Sequence, residues 1–302
     1  MKHPVTPTVL LLILFVASQI IGLGILALNA ETTIDEEGVV SVSFSEPITG
    51  ERPETTSAGI FVYLVIGITL GTIALLLMAR FQARLLWKAW YMLAVALTVA
   101  TALGVLMNAW VAWGIGILAA VLKAQKPGLL IHNVTEIFIH AGIAFIIVPL
   151  LNVWWAVAML IAIAVYDAYA VWKSKHMVSL ANFMTDTKLF AGLSVPYKKP
   201  TVNTKKPART PNVTKQVTVR SAILGGGDIA FPLLFSGVVL HTLITNGVAV
   251  SIAFLYTLII TVCAAISLTW LFLRAKKDTF YPAMPFLSAA CLVGYGIIIL
   301  LL

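Results

Sequence analysis

Three acidic side chains of this 302-residue chain lie inside long apolar runs: Glu136, Asp167 and Asp228. An ionisable group in such a place is costly, so each is a functional candidate unless a partner accounts for it. Asp167 stands six residues before Lys173, about 9 Å from the end of its run along a helix, and Asp228 eight residues after Arg220, about 12 Å in. On consecutive antiparallel spans, two such carboxyls reach nearly one depth. Carboxyls forced together cannot both ionise easily, so the pair shares one proton. One member can then take a proton from water while the other protonates a carbonyl oxygen. That hydrolyses a peptide bond without a metal or a covalent intermediate, and it predicts a bell-shaped pH dependence belonging to the pair. Spacing alone equally allows a hydrogen-bonded pair that only fastens two helices, or a proton relay in a transporter. Glu136 has His132, Asn133, Thr135 and His140 close by in sequence to satisfy it, and it reads as structural.

The elements that must hold these acids follow from composition. The chain is 60% hydrophobic and 11% charged, against about a quarter charged for a soluble domain. Apolar runs fall at roughly 8–28, 58–79, 89–106, 108–122, 129–148, 151–172, 221–245, 248–272 and 281–302. Three divisions need breaks inside longer apolar stretches, and Gly104–Asn108, Pro149–Asn152 and Thr245–Asn246–Gly247 supply them. The expected fold is all-α: one nine-span membrane domain over 1–302, with six spans to about 172, a connection at 173–220 and three spans over 221–302.

Charge gives an independent test. With the N-terminus cytoplasmic and the C-terminus outside, nine spans put nineteen of the twenty Lys and Arg on the cytoplasmic side, Lys123 and Lys126 among them. Only Arg52 falls outside, beside Glu31, Asp35, Glu36, Glu37, Glu46, Glu51 and Glu54. Basic residues so partitioned indicate membrane topology and not a nucleic-acid footprint. Lys2 ahead of an apolar run also fits a signal peptide, but about 21 residues is long for one, and a retained span is expected. Cys263 and Cys291 both sit in apolar runs, so neither a disulfide framework nor a Cys-based metal site is indicated.

The residues around the two aspartates carry a resemblance. Tyr166-Asp167 ends the sixth run, and Gly225-Gly226-Gly227-Asp228, a Gly-x-Gly-Asp motif, opens the seventh. In that order on adjacent spans they resemble the presenilin and signal peptide peptidase family. The stretch Ala164–Leu180, with Lys175-His176-Met177, looks like archaeal presenilin homologues. The resemblance implies an intramembrane aspartyl endopeptidase with Asp167 and Asp228 as its catalytic dyad, Tyr166, Gly225 and Gly227 in support, no cofactor and no metal. Gly225 and Gly227 would leave room for another backbone near Asp228. The family's Pro-Ala-Leu motif has two counterparts, Pro282-Ala283-Met284 and Pro285-Phe286-Leu287. The first matches better by letter; the second keeps the family spacing to Gly294 and is preferred.

Partners follow from the same resemblance. Single-span membrane proteins are the implied substrates, the lipid bilayer of an archaeal plasma membrane the implied setting, and a homo-oligomer stays open. The middle of the connection, Lys198–Lys215, is rich in Lys, Pro, Thr and Asn. Its flanks Leu189–Tyr197 and Gln216–Ile223 suit extended structure, and the resemblance suggests that they pair with an unwound substrate strand. A basic loop lying on anionic lipid is the competing reading. Asn133-Val134-Thr135 and Asn212-Val213-Thr214 match the glycosylation pattern, but their expected positions, in a span and on the cytoplasmic face, argue against use. Two other functions remain as alternatives: a prepilin-type Gly-x-Gly-Asp peptidase, which would not require Tyr-Asp, and a proton-coupled transporter, which should show an internal repeat.

Overall fold

The computed structural model describes residues 5–34, 40–125, 128–174, 189–201, 216–274 and 281–302. Lys175-His176-Met177, Asp186, most of the basic middle of the connection, Asn212-Val213-Thr214 and Asp278 lie outside the described residues. The apolar runs form helices α1 (Val5–Leu28), α2 (Ser57–Arg80), α3 (Arg84–Gly104), α4 (Ala109–Gln125), α5 (Leu129–Ile147), α6 (Val153–Tyr169), α7 (Gly226–Thr245), α8 (Val250–Arg274) and α9 (Met284–Leu301). Eight are long and apolar enough to cross a membrane; α4, with 17 residues, is shorter.

The three expected breaks are where the chain turns. Two residues after Asn108, the Trp110 amide donates to the Asn108 side chain, Trp110 N to Asn108 Oδ1, at 2.9 Å. Pro149 sits in a 3₁₀ turn, Val148–Leu150, and Asn152 then caps α6 by accepting from Trp155 N at 3.0 Å. Gly247 takes φ +85° at the end of α7, and its amide closes on Ile244 O at 2.9 Å.

Two departures from an all-α fold appear. Ala30–Ile34 (β1) pairs antiparallel with Val40–Phe44 (β2) in the acidic segment. Gly192–Thr201 (β3) pairs antiparallel with Gln216–Gly225 (β4), in register from Gly192↔Gly225 to Thr201↔Gln216. The seventh helix therefore starts at Gly226 and not near 221. Val217, Val219 and Ile223 alternate as a strand requires, the strand runs to Gly225, and the helix begins on the next two glycines.

Helix α7 is the most buried of the long helices and packs against α1, α5, α6, α8 and α9. A helix apolar all round belongs at such a centre. At the periphery, few residues of α2 are buried, as a lipid-facing helix requires. Helix α9 lies tight on α8 at Gly294, where a Cβ would come within 2.8 Å of Ile260 Cα. On the side of β1 and β2, Arg52 ties its segment to α5, donating to Phe44 O and Phe145 O at 3.2 Å each.

Candidate active site

Asp167 lies in the last turn of α6 and Asp228 in the first turn of α7. Antiparallel packing of these helices puts both acids at the same end of the bundle, near enough to interact electrostatically. The depth expected for Asp228 assumed a helix from Arg220. The equal placement arises instead from a strand that delivers the chain to the start of α7.

Each carboxyl has backbone donors. Asp228, the third residue of α7, reaches back to the amide of Gly225, the N-cap, in the manner of a capping box. There the helix dipole favours a negative charge. Asp167 lies just before α6 passes into a π-helical turn, Ala170–Ser174. Its donors come from the N-terminus of α9: Met284 N donates to Oδ2 at 3.1 Å, and the Ala283 amide also donates. Ser288 Oγ bonds Leu160 O at 3.2 Å and so holds α9 against α6.

The remaining expected residues occupy distinct places. Tyr166 is exposed on α6 beside Asp167. A Cβ on Gly225 would stand 3.2 Å from Asp228 Oδ2, and one on Gly227 would meet only the Phe231 ring at 3.5 Å. The close backbone approach falls at Gly226 between them, whose amide donates to Ala191 O at 3.2 Å. Pro285 and Phe286 lie in the first turn of α9; the Phe286 ring packs on Trp270 and the Phe286 carbonyl accepts from Ser267 at 3.0 Å. Leu287 is core. The contacts to Asp167 thus come from Ala283 and Met284, and Gly294 serves the packing of α9 on α8.

Sequence reasoning missed two contributors. Gln19 on α1 donates to Ile229 O at 3.0 Å, one residue from Asp228. A Gln amid apolar residues was a signal in itself. Lys123, counted as a cytoplasmic base, lies in the last turn of α4 and is 1% exposed, ion-paired with Glu136, also 1% exposed. Glu136 is indeed held by partners, but they are Lys123, Tyr91 OH (3.2 Å), Gly192 N (2.9 Å) and, at 4.0 Å, His140. Among the described residues no group of three His, Cys, Asp or Glu is placed to hold a metal ion.

The chain is similar to proteins of one family. The model of the family described as "Signal-peptide peptidase, presenilin aspartyl protease" matches residues 37–302. No curated protein sequence matches the chain. Two solved structures of a presenilin family intramembrane aspartate protease share its fold. The one in space group C222 has a TM-score of 0.58 at 17% identity, covering 98% of this chain and all of its own. The one in P2 has 0.57 at 19%, covering 99% of this chain and 98% of its own. The chain belongs to the signal-peptide peptidase and presenilin family of aspartyl proteases.

Proposed function

We propose that Asp167 and Asp228 are the catalytic pair of this intramembrane aspartyl protease, and that single-span membrane proteins are its substrates. The observation that carries this reading is the placement of Asp167 in the last turn of α6 and Asp228 in the first turn of α7, packed helices, near enough to interact electrostatically. One carboxylate takes a proton from a water held between the pair. The hydroxide formed attacks the scissile carbonyl carbon while the protonated partner gives its proton to the carbonyl oxygen. Collapse of the resulting diol, with a proton passed to the amide nitrogen, breaks the C–N bond. The backbone amides of Ala283 and Met284 orient Asp167, so Pro282-Ala283-Met284 takes the third-motif role in this reading.

The hairpin supports a route for substrate. Gly192 and Ser194 turn their N–H and C=O groups toward α5, so their partners Gly225 and Ile223 turn theirs away from β3. Pro196 and Pro200 fall at the same outward positions of β3 and offer no N–H there. The edge open to a further strand is that of β4, at Ser221 and Ile223, leading directly to Asp228. The expected flanks pair with each other first, and an unwound substrate adds to β4.

Nine spans, with α4 counted, a cytoplasmic N-terminus and an outer C-terminus in the cell membrane complete the proposal. Support comes from the charge partition of the connections. The test is binding of a peptide mimic with a hydroxyl in place of the scissile carbonyl, which the pair can hydrogen-bond from both sides. It should raise the melting temperature of the wild type and leave Asp228→Asn unmoved. Equal shifts in both would reject the pair as the binding centre.

A further inference from the structure

A buried polar face of α5 is unused by the chemistry above, and three of its side chains, His132, Asn133 and Glu136, bond β3. Asn133 behaves as a missing strand: Oδ1 accepts from Ser194 N and Nδ2 donates to Ser194 O, both at 2.9 Å. One turn away, Glu136 Oε2 accepts from Gly192 N at 2.9 Å, and His132 Nε2 lies 2.8 Å from Gly192 O. Tyr91 on α3 donates to Phe190 O at 2.9 Å. His140, bonded to Glu136 O at 2.6 Å, has its other nitrogen against Gly226. Behind these, Lys123 neutralises Glu136 and bonds His132 O at 3.4 Å.

The clamped segment turns on a glycine conformation that other residues rarely adopt. Gly192 has φ +129°, and a Cβ there would come within 2.2 Å of Leu224 O. Gly192 pairs with Gly225, and Ala191 O receives the amide of Gly226, the first residue of α7. Two residues later is Asp228. The α5 face therefore fixes a strand end that is bonded to the backbone from which Asp228 projects.

We infer that His132, Asn133 and Glu136 are positioning residues that anchor the inner edge of β3 and through it set the placement of Asp228. This rests on the catalytic reading of Asp228. Half-satisfied buried networks lose their geometry readily, so a single deletion should be felt at the catalytic pair.

The test compares two variants of the purified full-length protein. Asn133→Leu removes both bonds to Ser194. Phe145→Leu, at the far end of α5, serves as a control matched in lost melting temperature. In Asn133→Leu, hydrogen exchange at the Ser194 amide should rise at least about tenfold and kcat on a single-span substrate fall about tenfold, the worth of one or two buried hydrogen bonds. Phe145→Leu should keep Ser194 protected and kcat within about twofold of wild type. Should Asn133→Leu not fold, Asn133→Ser carries the same comparison. Unchanged exchange at Ser194 overturns the anchor. An opened amide with wild-type kcat, or equal kcat losses in the two variants, overturns the link to Asp228. A wild type inert on every substrate would fail the catalytic reading and leave the exchange result standing.

Discussion

The amide of Met284 donates a 3.1 Å hydrogen bond to Oδ2 of Asp167 across 117 residues of sequence. It joins the last turn of α6 to the beginning of α9 and brings a helix N-terminus to that acid. The contact is made by backbone, so side-chain identity at 284 matters less than the presence of an N–H.

Met284→Pro removes that donor and should lower kcat by roughly ten- to a hundredfold, the cost of an orienting hydrogen bond to a charged group. Met284→Leu keeps the donor and should retain most activity. Steady-state cleavage of a single-span substrate separates the two. Equal activity in both variants would show that the amide does not orient Asp167.

The Lys123–Glu136 pair makes a stability prediction. Removing one partner leaves the other charge buried, so Lys123→Met or Glu136→Gln alone should cost about 3–5 kcal/mol. Lys123→Met with Glu136→Gln should recover much of that loss, because no uncompensated charge remains, and Gln can still accept from Gly192 N. Melting temperatures in one detergent measure it. A double variant no better than the worse single one would mean that the two residues act independently.

The membrane arrangement is tested by labelling. Cysteines introduced at Thr55, ahead of α2, and at Thr204, in the connection between β3 and β4, should react with impermeant reagents from opposite faces. Labelling from one face would break the nine-span count and the proposed orientation with it.

How far the sequence alone could go is clear from particular elements. The breaks at Gly104–Asn108, Pro149–Asn152 and Thr245–Gly247 were legible because Pro, Gly and Asn have strong local preferences. The pairing of β3 with β4 was half legible: both segments suit extended structure, but which strand each would meet is a tertiary matter. Val217–Ile223 reads as well for the start of an apolar helix as for a strand, and register with β3 decides it. Lys123 looked like a loop base because its partner, Glu136, lies on the next helix and only packing joins them. Of the two Pro-containing motifs, letters favoured Pro282-Ala283-Met284 and spacing to Gly294 favoured Pro285-Phe286-Leu287; the backbone amide that Met284 aims at Asp167 is a tertiary contact that neither signal carries.

Cleavage by the purified protein in detergent is the most direct measurement, comparing wild type with Asp167→Asn and Asp228→Asn on one single-span substrate. Each carboxyl has a role that its partner cannot fill, so both single variants should lose turnover by at least about a thousandfold, as for removal of either half of an acid–base pair, while keeping the wild-type melting behaviour. Substantial cleavage by either folded variant would contradict the assignment of Asp167 and Asp228 as the catalytic pair.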